Sequence, residues 1–245
     1  AIGLHIEAIC DTEKFANAAM RAIEKNTPIV ALKTGMSEIG ARLTASHTGS
    51  LSGTDTTYSA FFERLGICRV ATPSEFIELL KFLTIAGVPT GQKIAGFTCS
   101  GGGATMLADY AAPLDLDFVQ PSSHTAAALT QLLPHTATVS NPLDYTTPIW
   151  GDYDRTLPVF ECLLEDGYDS AVLIQDYPAA GLDESKPYYR ADSDSFIKAC
   201  HTASIPAAIC STLPENLDAE TRSHILQAGV APMQGIEICM QAMSD

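Results

Sequence analysis

The sequence predicts an α/β protein built on parallel sheets. Short apolar runs typical of buried strands alternate with longer stretches of helical period along most of the chain. A strand–helix alternation of this kind favours parallel, doubly wound sheets. The chain has 245 residues, of which 46% are hydrophobic and 18% charged, so it can bury one or two ordinary cores.

The first part of the chain contains three predicted strands and three predicted helices. The strands are residues 1–9, 28–33 and 67–70, and the helices are residues 12–25, 55–65 and 73–86. Ser74 is expected to cap the last of these helices. Residues 34–53 are rich in glycine and hydroxyl side chains, and we expect them to form a loop.

Residues 87–92 (GVPTGQ) are predicted to be a linker, after which the alternation starts again. The strands expected there are residues 93–98, 169–175 and 206–210, and the helices are residues 104–112, 122–133, 192–204 and 220–228. We therefore predict two domains, residues 1–88 and 92–245.

Charge and cysteine content exclude several classes of protein. The formal net charge is −15 and the sequence has no run of lysine or arginine, which argues against nucleic-acid binding. The seven cysteines are scattered and lack metal-ligand spacing, so we expect reduced thiols in the cytoplasm and no metal site. No apolar stretch approaches 18 residues, and no signal peptide is visible, so no membrane association is expected.

The most informative motif is the octapeptide SHTGSLSG at residues 46–53. It places His47 among small hydroxyl and glycine residues, where an anion could approach the backbone. One interpretation is a histidine that carries out covalent or acid–base chemistry on a phosphate-bearing substrate. The other is an ordinary histidine on a surface loop. Residue types alone leave both open.

A second glycine cluster, Ser100-Gly101-Gly102-Gly103, lies between a predicted strand and a predicted helix. Free amide groups at a helix start form an anion site, with the positive end of the helix dipole behind them. The cluster is not a Walker loop, a dinucleotide fingerprint or a hydrolase elbow, because the residues that define those motifs are missing. Tight packing alone would also explain these glycines.

Taken together, the motifs resemble those of the nucleoside-diphosphate-forming acyl-CoA synthetases, which include ADP-forming acetyl-CoA synthetase and succinyl-CoA ligase. The matching positions extend over nearly the whole chain: Lys33-Thr34-Gly35, Gly40, residues 46–53, Asp55, Tyr58, Phe61, Gly66, Val70, Ser100 to Gly103, Ala108-Asp109 and Asn141-Pro142-Leu143-Asp144. The resemblance implies two flavodoxin-like domains of the succinyl-CoA-ligase type, the first incomplete and represented by its C-terminal half.

The resemblance also implies roles for individual residues. In this family a histidine in the position of His47 is phosphorylated during turnover, and Glu7 matches the glutamate that orients it. A carboxylate in that place would fix the ring tautomer and stabilise its cationic form. A glutamate at a strand end can also be a solvent-exposed side chain with no such role. Further phosphate-binding groups are implied at Thr48, Gly49, Ser50, Ser100, Gly101, Gly102 and Gly103.

Asn141 and Asp144 belong to the NPLD motif, where they either stabilise a turn or shape the site. The family uses CoA, ADP or ATP, and magnesium, although none is expected with certainty to bind this chain. Implied partners are a CoA-binding Rossmann domain and an ATP-grasp domain or subunit, in an oligomer that acts on a small carboxylic acid.

Three functions remain open at this stage. The first is the phosphocarrier part of an acyl-CoA synthetase, which is a ligase. The second is an acyl-CoA-sensing regulatory module of a protein acetyltransferase, in which the phosphorylated histidine is typically lost. The third is a binding module without catalytic activity. The presence of His47 favours the first, and we expect the chain to act only as part of a larger protein or complex.

Overall fold

A computed structural model describes residues 1–48, 54–178, 181 and 184–244, with the backbone alone at Ala45, His47 and Thr48. The strands are β1 Ile2–Ile6, β2 Ile29–Lys33, β3 Cys68–Val70, β4 Ile94–Thr98, β5 Leu143–Asp144, β6 Ser170–Ile174, β7 Ala207–Ser211 and β8 Ala231–Gln234. The helices are α1 Thr12–Ile23, α2 Glu38–Thr48, α3 Asp55–Arg64, α4 Pro73–Ile85, α5 Gly101–Ala111, α6 Ser123–Leu132, α7 Tyr153–Leu164, α8 Lys186–Ala203, α9 Ala219–Gln227 and α10 Ile236–Ser244.

The described chain divides into two compact units, residues 1–84 and 85–244. Each contains one sheet, and all the strand pairs in both sheets are parallel. The predicted α/β class with two parallel sheets is therefore confirmed. The domain limits 1–88 and 92–245 stay predictions.

The first unit has a three-stranded sheet in the order β1-β2-β3. Ile6 pairs with Lys33, and Ala31 pairs with Arg69, so these four side chains lie on one face of the sheet. Helices α1 and α3 cover that face. Its core consists of Ile6, Ala19, Ile29, Ala31, Tyr58, Phe62, Leu65 and Ile67.

The second unit has a five-stranded sheet in the order β5-β4-β6-β7-β8. Its core is built around aromatic rings packed edge to face, with Phe97 at 4.9 Å from Phe160 and 5.7 Å from Phe196 between ring centroids. Tyr145 joins this cluster at 5.1 Å from Phe160. Edge-to-face contacts add to the stabilisation that the rings gain by leaving water.

Two local expectations were wrong. Residues 38–48 form helix α2 and not a loop. Ser37 precedes the first helical residue, and its Oγ accepts a hydrogen bond from the Gly40 N–H at 3.1 Å. Within the helix, Arg42 pairs with Glu38 one turn earlier at 3.3 Å. The capping residue of α4 is Thr72 and not Ser74.

Thr72 and Glu75 form a capping box at the start of α4. The Glu75 N–H donates to Thr72 Oγ1 at 3.2 Å, while Glu75 Oε2 accepts from the backbone N–H of Ala71 at 2.7 Å and of Thr72 at 3.3 Å. This reciprocal arrangement satisfies amide groups that the helix itself cannot bond. Thr72 precedes Glu75 by three residues, which is the spacing of a capping box.

Within the described part of the chain, each helix falls short of the length and apolarity needed to cross a lipid bilayer.

Candidate functional site

The carboxyl ends of β1, β2 and β3 meet at one edge of the first sheet. Glu7 follows β1 directly and is half-buried, and Thr34 follows β2. Glu7 lines a cavity of about 660 Å³ together with residues of β1 and the start of α1, among them His5, Asp11 and Lys14. The sheet thus places the predicted carboxylate at the edge where parallel folds bind their ligands.

The helix that precedes α3 carries the predicted histidine. The backbone of His47 lies in α2, which the structure describes from Glu38 to Thr48. The side chains of His47 and Thr48, and the whole of Gly49 and Ser50, lie outside the described residues. Their predicted roles stay predictions.

Gly35 allows α2 to pack close to the end of β2. Its φ is +73°, in the left-handed region that favours glycine, and a Cβ at this position would overlap Thr44 Oγ1. Thr44 belongs to α2 and is buried. Glycine in the Lys33-Thr34-Gly35 motif is therefore required for the packing of α2 against the end of β2. Sequence spacing alone did not reveal this requirement.

Lys33, the last residue of β2, is a buried cation with only 2% of its surface exposed. Its ammonium donates a hydrogen bond to the Thr34 carbonyl and lies 4.6 Å from the centroid of the Tyr58 ring. Burial lowers the pKa of Lys33, as does the nearby Arg69, whereas Asp55 and Glu7 act in the opposite direction. Charges of both signs thus surround the end of β2.

Arg69, on β3, makes several contacts beside Lys33. Its guanidinium contacts the carboxylate of Asp55, the hydroxyl of Ser59 and the sulfur of Met36. It also lies 3.5 Å from the Asp55 carbonyl oxygen. Sequence analysis noted Asp55 in the motif and did not single out Arg69.

The glycine cluster of the second unit lies at the start of α5. Ser100 is the N-cap residue, in an extended conformation, and its side chain makes no capping hydrogen bond. Gly101, Gly102 and Gly103 form the first turn of α5 and not a turn before it. The first N–H groups of a helix have no partner inside the helix, so this end can bind an anion.

The order of strands supports a site here. Strand β4 has β5 on one side and β6 on the other, so the connections after β4 and after β5 leave in opposite directions. In open α/β sheets, ligands bind beyond the carboxyl ends of the strands at such a switch point. The residues from Ser100 to Gly103 follow β4 directly.

Asp144 lies beside this helix start. It pairs with Thr98 across the sheet, and a Cβ on Gly101 would lie 3.5 Å from Asp144 Oδ2. Its other oxygen, Oδ1, accepts a hydrogen bond from the Thr146 N–H at 2.9 Å. Thr146 has φ +68°, an unusual conformation for a β-branched residue. The structure therefore brings Asp144 and the glycine cluster together.

Asn141 has a different environment. Its side chain is buried, accepts from the Gly96 N–H at 2.9 Å, and donates to the carbonyls of Ile94 at 2.8 Å and Val119 at 3.0 Å. These bonds satisfy backbone groups of β4 and of the segment before α6. The contacts of Asn141 support the interpretation that it stabilises the fold.

A buried polar cluster that the sequence did not predict lies near Cys99, the residue before the glycine cluster. Asp192 of α8 is fully buried and accepts hydrogen bonds from the Tyr145 hydroxyl at 2.6 Å and from the Gly151 N–H at 2.7 Å. Burial raises the pKa of Asp192 to about 6, although both hydrogen bonds favour the carboxylate. Burial and the charge of Asp192 raise the pKa of the neighbouring Cys99 to about 11, so Cys99 is a neutral thiol.

Residues 1–83 match the family model described as succinyl-CoA ligase like flavodoxin domain. This part of the chain is similar to that family. The resemblance to nucleoside-diphosphate-forming acyl-CoA synthetases predicted from the motifs is confirmed by this match and by the relatives that follow.

Two curated relatives extend the similarity beyond the succinyl-CoA ligase like domain. The alpha subunit of Acetate–CoA ligase [ADP-forming] II from Pyrococcus furiosus is 36% identical over 167 residues, which are 68% of this chain and 35% of that protein. Acetate–CoA ligase [ADP-forming] from Methanocaldococcus jannaschii is 35% identical over 141 residues, which are 58% of this chain and 20% of that protein. The chain thus matches about a third or less of the length of these relatives.

A solved structure shares the fold of the whole chain. It is a dinucleotide forming acetyl-coenzyme A synthetase 1 from Ca. Korarchaeum cryptofilum in complex with phosphate and ADP, with a TM-score of 0.80 and 23% identity. The match covers 99% of this chain and 51% of that one. The succinyl-CoA ligase like domain and the unit after it therefore occur together in a known fold.

Proposed function

We propose that this chain is the phosphohistidine-carrying part of an acyl-CoA synthetase that forms ATP, or another nucleoside triphosphate, from the diphosphate. The observation that carries the proposal is the 36% identity over 167 residues with an ADP-forming acetate–CoA ligase subunit. Within the chain, further support comes from Glu7 at the carboxyl end of β1, which pairs with β2, the strand that precedes the helix of His47.

The proposed reaction converts acyl-CoA, phosphate and a nucleoside diphosphate into the free acid, CoA and the triphosphate. Phosphate first displaces CoA and gives an acyl phosphate. A ring nitrogen of His47 then attacks phosphorus, so that a nitrogen–phosphorus bond forms, the bond from phosphorus to the acyl oxygen breaks, and the carboxylate leaves. A terminal oxygen of the nucleoside diphosphate attacks phosphorus next, and the electron pair of the broken bond returns to the ring. Each step is reversible.

The proposed role of Glu7 is to hold the ring of His47. A carboxylate that accepts the N–H of one ring nitrogen leaves the other nitrogen free to attack, and it stabilises the cationic ring. Half-burial of Glu7 directly after β1 suits this role, because its backbone is anchored by the strand while its side chain remains accessible.

The proposed role of the second unit is to bind phosphate at the start of α5. The N–H groups from Gly101 to Gly103 supply donors without a basic side chain, in agreement with the acidic composition of the chain. The carboxylate of Asp144 lies close to the same helix start. It would repel a bound phosphate and so limit the negative charge that the phosphate carries there.

CoA, the nucleotide and magnesium are proposed to be handled together with a CoA-binding Rossmann domain and an ATP-grasp domain or subunit. A cytoplasmic location and assembly into an oligomer are part of the same proposal. The regulatory alternative, an acyl-CoA-sensing module of a protein acetyltransferase, is not favoured, since the curated relatives above are named as ligases.

Labelling of His47 tests the proposal. The assembled enzyme is incubated with magnesium and ATP that carries ³²P in its terminal phosphate, and the label on this chain is expected to be lost in acid and stable in base. A His47→Asn variant should carry no label, whereas His201→Asn, a histidine on α8 that bonds the Ala228 carbonyl at 2.8 Å, should label like wild type. Equal labelling of the His47 variant and wild type would refute the proposal.

A further inference from the structure

One arginine of the first unit joins two helices. The guanidinium of Arg69 contacts Met36, two residues before α2, and Asp55, the first residue of α3. It also contacts Ser59, one turn further along α3. A single side chain on β3 therefore connects the beginnings of two consecutive helices.

Arg69 is the more buried member of its ion pair with Asp55. The Arg69 side chain is 19% exposed, and its partner Asp55 is 47% exposed. A guanidinium is planar and has five N–H donors, so it can bind several acceptors at once. A lysine in its place would present one point charge and could not keep all of these contacts.

The start of α3 depends on contacts from outside the helix. Thr54 is its N-cap residue, but the Thr54 side chain makes no capping hydrogen bond. The Asp55 carboxylate is favourably placed at the positive end of the helix, and Arg69 supplies its opposite charge. Arg69 therefore fixes the place where α3 begins.

Neighbouring charges make Arg69 hard to replace. Lys33 is buried next to it, and the charge of Arg69 helps to lower the pKa of Lys33. Asp55 acts on both. Without Arg69, Asp55 would have to pair with the buried ammonium of Lys33. That ammonium already donates to the Thr34 carbonyl and faces the ring of Tyr58.

We propose that Arg69 is a positioning residue that sets where α2 starts relative to α3 and, through α2, where His47 stands. The inference rests on the proposed function for the importance of His47, but the placement of α2 by Arg69 can be measured independently. Arg69 touches neither substrate nor the phosphoryl group in this proposal, and acts only through the helix.

Hydrogen exchange tests whether Arg69 holds α2 in its folded position, because an amide exchanges only when the helix opens. In Arg69→Met the amides of α2 are expected to exchange about tenfold faster, because loss of charge-assisted contacts raises the population of the open helix. The amides of β2 should exchange as in wild type. Arg64→Met, a matched loss of an exposed arginine at the end of α3, should leave both regions unchanged. Arg69→Lys should fall between Arg69→Met and wild type.

Labelling of His47 in the same variants tests the link to function. Arg69→Met in the assembled enzyme should lower the first-order rate of phosphorylation about tenfold with little change in the KM for ATP, since the loss affects placement and not binding of the nucleotide. Should Arg69→Met fail to fold, Asp55→Asn removes the ion pair while it keeps the guanidinium, and the same two measurements apply.

The possible results separate the two proposals. Unchanged exchange in α2 of Arg69→Met would overturn the role of Arg69, whatever the labelling shows. Faster exchange in α2 combined with wild-type labelling kinetics would also overturn it. A wild-type enzyme that carries no label on His47 would refute the proposed function, while the exchange result would still decide whether Arg69 places α2.

Discussion

The hydroxyl of Tyr145 donates a 2.6 Å hydrogen bond to the carboxylate of Asp192, and both residues are fully buried in the second unit. The Tyr145 N–H also donates to the Thr98 carbonyl at 2.9 Å, just before the glycine cluster begins. Tyr145 thus links the buried carboxylate of Asp192 to Thr98, which lies two residues before Ser100 at the proposed phosphate site.

Asp192 should make stability depend on pH. Burial raises its pKa from 3.8 to about 6 in the folded chain, so between those values the folded state binds more protons than the unfolded state and stability falls as pH rises. The shift corresponds to about 3 kcal/mol. Denaturant titrations of wild type and Asp192→Asn from pH 3.5 to pH 7 should show wild type losing about that amount relative to the variant. A difference that is constant over this range would contradict the prediction.

Gly103 and Gly101 should respond differently to alanine. A Cβ on Gly103 would lie 2.5 Å from Thr98 Oγ1, whereas on Gly101 it would meet Asp144 Oδ2 at an ordinary 3.5 Å. Gly103→Ala should therefore lower the free energy of unfolding by about 1 to 3 kcal/mol, and Gly101→Ala should change it by less than about 1 kcal/mol. Chemical denaturation measures both, and equal effects would show that space around Gly103 is not limiting.

Asn141→Ala should destabilise the second unit. It would leave the Gly96 N–H and the carbonyls of Ile94 and Val119 without their buried partner, at a cost of roughly 2 to 4 kcal/mol. Asn17→Ala on the exposed face of α1 is the control, expected within about 0.5 kcal/mol of wild type. A loss at position 141 no larger than at position 17 would contradict the structural role.

Glu7→Gln should slow phosphorylation of His47 without loss of stability. The amide cannot stabilise a cationic ring as a carboxylate does, so the labelling rate should fall about 10- to 100-fold. The free energy of unfolding should stay within about 0.5 kcal/mol of wild type. Glu13→Gln, in the first turn of α1, provides the control for loss of a nearby negative charge. Wild-type labelling by Glu7→Gln would remove its assigned role.

Several strands were predictable because a parallel strand is buried on both faces, whereas the short strands β5 and β8 were not predicted. The runs that became β2, β4 and β7 are buried at every position, and each stands out in the sequence as a short apolar segment. Helix α2 was not predicted because its hydroxyl residues and Gly40 have low intrinsic helix propensity. The helix depends instead on the cap at Ser37 and on the close packing of Gly35 against Thr44.

Contacts between residues that are distant in sequence limited how much of the candidate site could be predicted. Glu7 and the glycine cluster follow strands directly, so strand prediction places them at sheet edges. Asp192 and Tyr145 are 47 residues apart, and Arg69 reaches back 33 residues to Met36. Nothing in local spacing reveals such pairs, because they arise only when the helices pack on the sheet. Helix α7 was not predicted for a different reason: proline usually breaks a helix, but α7 continues through Pro158.

Gly35 affects the position of His47 through Thr44. A side chain at residue 35 would displace the buried Thr44, and Thr44 precedes His47 in α2 by three residues, about 4.5 Å along the helix axis. A single added methyl group at residue 35 would therefore shift the backbone of residue 47 relative to the sheet. Glycine at this one position determines how near the predicted phosphate carrier lies to the end of β2.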